Sequence, residues 1–297
     1  MHIVLLHNPT AGGEDHEADE LVALLRTAGH EVVQRCSSVE ALRASLDACR
    51  CDLVAAAGGD GTVGAAALAI AGRGTPLAVL PLGTANNIGL TLGLQGEPRE
   101  LIGRWAKGSV RALDFATVTS STLQTRFLEA AGFGIFPELI RRTAELDAPP
   151  HPTATLDRDL ALFRSVVETA QARRYEVTVD GRDHSGEYIL AQVMNIPFLG
   201  PNVPLASSAD PFDGQLDVVL VGEDDRALLL EVLARLRARQ LPERTPNTIR
   251  GTRITLRGED RAIQLDGELH EVASNDRPFA LEIGLAHAEI PVLLPHA

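Results

Sequence analysis

Residues 53–62 read LVAAAGGDGT: five apolar residues, Leu53–Ala57, run without a polar break into Gly58, Gly59, Asp60, Gly61 and Thr62. An unbroken apolar run closed by a glycine turn marks a strand covered on both faces, not one wetted on one side. The small residues of Val63–Ala71 then predict a helix that lies close against the sheet. The same plan recurs upstream and downstream. Ile3–Leu6 is an apolar run ending in the turn that begins at Asn8, and Leu77–Leu80 leads into PLGTANN at Pro81–Asn87. Between them, Ala18, Leu21, Leu24, Leu25 and Ala28 fall at helical spacing before Gly29, and Glu31–Gln34 reads as a strand. Ser37 and Glu40 have the spacing of a capping box, which starts a second helix there.

Strand–helix alternation with near-solid apolar strands predicts a doubly wound α/β domain over residues 1–113, with a further helix at Arg99–Lys107. From about Leu113 the period changes. Phe115–Val118, Phe127–Ala131, Tyr175–Val179, Tyr188–Ile196, Leu216–Val221, Arg253–Arg257, Ala262–Leu265 and Ala280–Ile283 read as strands, with turns at Asp180–Gly181 and Asp213–Gly214. This predicts a β-rich second domain over 114–297, with room for the extreme C-terminal segment to pack back on the first. Helices are expected near Leu156–Arg173 and Ala227–Gln240, and an exposed connector at Glu145–Thr155. The second helix sets Leu228, Leu229, Val232, Leu233 and Leu236 against Arg235, Arg237 and Arg239. That pattern is read as a sheet-packing helix, with a membrane-surface helix as the alternative.

A formal charge of −13 and an aromatic content of 4% exclude a nucleic-acid binder, which needs positive charge and stacking platforms. Cys36, Cys49 and Cys51 are odd in number, which suits reduced thiols in a cytoplasm and not a disulfide framework. No apolar run approaches the roughly 20 residues needed to cross a bilayer. Any meeting with lipid is therefore expected from the water side, as a transient contact at a membrane surface. A homodimer is left open by the sheet edge expected in the second domain.

In an open parallel sheet, ligands bind beyond the carboxyl ends of the strands. The turns after strands one, three and four belong to that edge. Glycines there let the backbone approach a phosphate chain, and helix starts favour negative charge. Thr62 adds a hydroxyl; Gly83 shapes the next turn, and Thr84 and Asn86 offer neutral hydrogen-bonding groups to a nucleotide. Asp60 repels phosphate directly, so its useful role is to hold Mg²⁺ or a water bound to it. A tight strand-to-helix turn is the alternative at each loop. LDGE at Leu265–Glu268 places an Asp-Gly turn after a strand. Either it is a plain hairpin, or Glu268 faces the nucleotide across a cleft and takes the proton of an acceptor hydroxyl, with a pKa raised by desolvation.

The order NPTAGG, GGDGT, PLGTANN, AGFG (Ala131–Gly134), DGQLDV (Asp213–Val218) and LDGE resembles the diacylglycerol kinase catalytic-domain family, which includes bacterial lipid kinases and the sphingosine kinases. The resemblance covers nearly the whole chain. It implies an N-terminal domain similar to those of NAD kinase and phosphofructokinase, a C-terminal β-sandwich with flanking helices, and ATP with Mg²⁺ as cofactors. It further implies ATP contacts from Asn8, Ser37, Gly58, Gly59, Asp60, Gly61, Thr62, Val63, Gly64, Gly83, Thr84 and Asn86. Asp60 and Glu268 take the catalytic roles, and Asp210, Asp213 and the carbonyl of Gln215 form a metal loop; an acidic solvated turn is the alternative there. The implied reaction is phosphorylation of a hydroxyl on diacylglycerol or a related lipid. The chain departs from the family pattern at Asn87, where Asp is usual, at Gly64–Ala65, where Asn-Glu is usual, and at Phe136–Pro137, where Asp-Ala is usual. Two alternatives follow: an NAD kinase-like enzyme, which shares GGDGT, and a nucleotide-binding regulatory protein with impaired catalysis.

Overall fold

The computed structural model describes residues 1–9, 17–146, 151–272 and 278–294. The chain divides into two compact units. Met1–Leu113 with Ala288–Ala297 forms the first, and Asp114–His287 the second.

In the first unit, β1 (His2–His7), β2 (Glu31–Cys36), β3 (Leu53–Gly58) and β4 (Leu77–Pro81) pair in parallel in the order β2-β1-β3-β4. Val292, from the last part of the chain, pairs parallel with Leu77 on the outer side of β4. Every residue of β3 is buried, as are Ile3 to His7, which is why these two strands read as solid apolar runs. Each such Leu, Ile or Val contributes about 1.5–3 kcal/mol by leaving water. Around the sheet stand α1 (Ala18–Thr27), α2 (Val39–Ala48), α3 (Asp60–Ile70), α4 (Asn87–Thr91) and α5 (Pro98–Arg104).

The start of α2 differs by one residue from the capping box expected at Ser37. Ser38 is the cap, its hydroxyl accepting from the amide of Ala41 at 3.2 Å. Ser37 lies exposed just beyond β2. The three cysteines are free thiols, and Cys36 is buried with its sulfur 3.3 Å from the Ser45 hydroxyl.

The second unit is a β-sandwich with a helical layer. One antiparallel sheet contains Arg173–Val179, Arg253–Gly258 and the early part of the long strand Phe279–Leu294. The other runs in the order Thr248–Gly251, Leu216–Val221, Leu190–Met194, Ala130–Gly134, Ala262–Leu265, Glu268–Glu271. Phe133, Tyr175, Val193, Val218, Leu256 and Leu281 fill the space between the sheets. On the outer face of the second sheet pack α6 (Ile135–Ala144), α7 (Pro152–Thr169) and α8 (Arg226–Arg237).

Leu229, Val232 and Leu233 of α8 are buried in this second core, so the stripe read in the sequence serves sheet packing. α7 begins at Pro152, a favoured first helical position, and ends at Thr169, four residues short of expectation, because the strand starts at Arg173. α6 and the strand Thr248–Gly251 lie outside the expected elements, although Ile135, Phe136, Leu139 and Ile140 of α6 fall at helical spacing. The connector read at Glu145–Thr155 lies partly in α7 and partly outside the described residues. The strand expected over Phe127–Ala131 is two strands, Gln124–Phe127 and Ala130–Gly134. Asp266 draws the intervening amides out of the ladder, as described next.

Candidate functional site

β1, β3 and β4 are parallel neighbours, so the segments that follow them share one edge of the first unit. The amide of Asn8 donates to the carbonyl of Ala57 at 3.1 Å, and its side-chain amide to the Thr62 hydroxyl at 3.3 Å. Residues 10–13 of the first turn lie outside the described residues. The other two turns touch through bare backbone. A Cβ on Gly83 would stand 2.4 Å from the α-carbon of Gly59, and one on Gly58 would stand 2.7 Å from Cβ of Thr62. Leu82 donates its amide to the carbonyl of Gly58 at 2.9 Å.

The PLGTANN turn is closed by Asn86. Its Oδ1 accepts from the amide of Gly83 at 2.8 Å and its Nδ2 donates to the carbonyl of Gly83 at 2.7 Å, with Thr84 inside the ring. Asn86 has φ 55°, a left-handed conformation that asparagine tolerates better than most residues. The result is a preformed concave backbone beside the start of α3, suited to an anion.

Asp60 has a second task that its sequence context hid. Its Oδ1 accepts from the amide of Ile88 at 2.9 Å, so the carboxylate caps α4 and ties it to the first turn of α3. Burial pushes the Asp60 carboxyl above its ordinary pKa, while the amides of Ile88, Asn87 and Asn86 oppose the shift. Among the described residues no group of three His, Cys, Asp or Glu side chains could enclose a metal. One carboxylate beside phosphate-binding turns nevertheless fits Mg²⁺ that arrives on a nucleotide, since that ion keeps water and phosphate oxygens in its shell. The same turns, with the start of α3 and a backbone free of side chains at Gly59 and Gly83, fit a nucleotide's phosphates.

In the second unit, Asp266 and Gly267 have φ 45° and 77°, the two left-handed positions of a tight hairpin turn, and Leu265 pairs with Glu268 across it. The Asp266 carboxylate turns inward. It accepts from the amides of Leu128 and Glu129 at 2.7 Å each and of Ala130 at 3.1 Å. Burial pushes its pKa up to about 6, with those three amides pulling the other way and the charge of Glu268 adding to the rise. Glu268 itself is 82% exposed, with His270 4.0 Å away. Desolvation, expected at Glu268, is found instead at its neighbour Asp266. The sequence reading treated Asp266 only as a turn residue; the Asp-Gly pair signalled the turn but not the three amides.

Asp210, Asp213 and Gln215 share a loop in the second unit. Asp213 pairs with the guanidinium of Arg250, and its Oδ1 accepts from the amide of Gln215 at 3.0 Å. The amide of Gly214 donates to Asp114, which is wholly buried, at 2.9 Å. Burial raises the pKa of Asp213. Arg250 thus competes with a divalent ion for the Asp213 carboxylate.

Comparison with known proteins agrees with this geometry in both units. A family model described as the diacylglycerol kinase catalytic domain matches residues 2–118, and one described as the YegS C-terminal NAD kinase beta sandwich-like domain matches residues 151–283. A Pseudomonas aeruginosa protein named "Probable lipid kinase YegS-like" is 31% identical over 227 residues, covering 74% of this chain and 71% of its own. The chain belongs to the family of YegS-like lipid kinases with a diacylglycerol kinase catalytic domain. A diacylglycerol kinase of Bacillus subtilis is 27% identical over 282 residues, or 89% of this chain and 88% of that one. The crystal structure of a diacylglycerol kinase from Bacillus anthracis superposes with a TM-score of 0.72 at 22% identity, over 99% of this chain and 97% of that chain, a likeness of fold.

The three departures from the family pattern each include a buried residue. Gly64 is buried, and a Cβ there would make only ordinary contact, 3.9 Å from Ile88. Asn87 is 3% exposed at the start of α4. Phe136 is buried in the second core, its ring 5.1 Å from that of Phe163.

Gly83→Ala should destabilise the protein by about 1–3 kcal/mol, because neither backbone at the Gly59 contact can move freely. Gly61→Ala, whose Cβ meets nothing within 4 Å, should leave stability nearly unchanged. Urea unfolding of the two variants checks the contrast; equal stabilities would show that the two turns do not need their close approach.

Proposed function

We propose that this chain is an ATP- and Mg²⁺-dependent lipid kinase that phosphorylates a hydroxyl of diacylglycerol or a related lipid. The observation that carries the reading is the pair of glycine turns locked together at Gly59 and Gly83, in a chain whose relatives named as diacylglycerol and lipid kinases match most of its length.

Gly58, Gly59, Gly61, Thr62, Val63 and Gly64 receive the phosphates in this reading, with Gly83, Thr84 and Asn86 on the neighbouring turn. Asn8 orients the Thr62 hydroxyl, and Ser37 reaches the nucleotide from the end of β2. Asp60 holds the metal through the oxygen that does not cap α4. Magnesium, when carried in on ATP, neutralises the charge that gathers on the phosphates. Glu268 accepts the proton of the lipid hydroxyl as that oxygen bonds to the γ-phosphorus and the bond from phosphorus to the ADP oxygen breaks. Asp266 sets the hairpin that presents Glu268. Asp210, Asp213 and Gln215 remain a candidate second metal loop, subject to the release of Arg250. No described helix is long and apolar enough to cross a membrane, so the lipid is taken from a surface.

Incubation with γ-labelled ATP, Mg²⁺, a total lipid extract and NAD⁺ tests the reaction. Label is expected in a lipid, absent with Asp60→Asn, and reduced about 10²–10⁴-fold in kcat with Glu268→Gln at little cost in ATP affinity. Label in NADP⁺ alone favours the NAD kinase alternative, and ATP binding without transfer to any acceptor favours the regulatory one.

The rate should also fall as pH drops through about 6. Asp266 holds the three amides most strongly when ionised, and its raised pKa places protonation there. A pH–rate profile for kcat should show this limb, and a flat profile down to pH 5 would contradict the positioning role of Asp266.

A further inference from the structure

Three carboxylates stand in the roles proposed above, and two of them are fixed. Asp60 is held by the amide of Ile88, and Asp266 by the amides of Leu128, Glu129 and Ala130. Glu268 is not. Its side chain is 82% exposed, and its carboxylate makes no hydrogen bond among the described residues. A glutamate turns about three side-chain bonds, whereas a base works efficiently only when its oxygen is aimed at the proton it takes.

The group placed to aim it is an imidazole. Glu268 and His270 are two residues apart on one strand, so their side chains share a face. Across the ladder Glu268 is opposite Leu265 and His270 opposite Ile263, and both of those partners point into the core between the sheets. The His270 ring therefore lies along the rim of that core, beside a recess lined also by Leu123 and Phe279. Leu269 and Glu271 take the other face, where Glu271 pairs with Arg141 at 2.8 Å.

The Nε2 of His270 stands 4.0 Å from Oε2 of Glu268. That nitrogen is buried and has no hydrogen-bond partner. A buried ring nitrogen left unpaired weakens the fold, and leucine at this rim would pack on Ile263 and Leu123 without that cost. The separation is about 1 Å longer than a hydrogen bond. A turn of the exposed glutamate side chain closes it without moving the strand.

We propose that His270 is the positioning residue of Glu268. Its Nε2–H donates to Oε2 and leaves Oε1 directed at the acceptor hydroxyl. This rests on the lipid-kinase reading above, in which Glu268 is the base, and adds the group that orients it. The O–H bond of the acceptor breaks and its proton passes to Oε1. The same oxygen bonds to the γ-phosphorus as the bridging oxygen leaves with ADP. His270 keeps its own proton throughout.

The test measures kcat, KM for ATP and Tm with γ-labelled ATP, Mg²⁺ and the lipid that the wild type labels. His270→Leu should lower kcat about 10–100-fold, with KM for ATP unchanged and Tm unchanged or raised. His270→Gln, which keeps an N–H donor, should retain most of the wild-type kcat. The double variant Glu268→Gln/His270→Leu should be no slower than Glu268→Gln alone, because a residue that acts through the base adds nothing once the base is gone. Wild-type turnover in His270→Leu overturns the inference, as do a loss that His270→Gln shares or losses that multiply in the double variant. If Glu268→Gln is slow in the same experiment, the lipid-kinase reading survives that result. Wild-type turnover in Glu268→Gln removes the base and this inference together, and no label in any lipid overturns the reading itself.

Discussion

The edge of the first unit formed by the GGDGT and PLGTANN turns depends on the hydrogen bond between the Asp60 carboxylate and the amide of Ile88, made possible by the glycine contact beside it. Gly59 and Gly83 bring the two turns within backbone distance, and the carboxylate then spans from α3 to the start of α4. A side chain at Gly83 would separate the turns, and one at Gly59 would press on the α-carbon of Gly83 at 3.3 Å. With the turns together, the start of α3 faces one concave stretch of backbone, and a single acid stands beside it.

The second unit uses two carboxylates of one hairpin for opposite ends. The Asp266 carboxylate is bonded to three amides, which fix the backbone, and its desolvation raises its pKa against their pull. Glu268, two residues on, is exposed, with His270 beside it. The turn between them, both residues left-handed, is what separates the two environments over so short a distance.

Much of this was legible in the residues. β1, β3 and β4 announced themselves because strands buried on both faces are apolar without interruption, and the glycine turns after them gave away the ligand edge. The Asp-Gly turn of LDGE was equally plain. What periodicity did not convey was which polar groups face inward. Asp60 capping α4 and Asp266 holding residues 128–130 are contacts across 28 and more than 130 residues, and no local pattern encodes them. The splitting of the strand at Leu128–Glu129 follows from the second contact, so it was missed too. The cap of α2 moved by one residue because Ser37 and Ser38 are interchangeable by type.

The most direct measurement is the structure of the protein bound to magnesium and a non-hydrolysable ATP analogue. The account predicts the phosphates against the backbone of residues 58–62 and 83–86, with the metal in contact with Asp60 directly or through water. Phosphates bound elsewhere, or a metal with no path to Asp60, would contradict it.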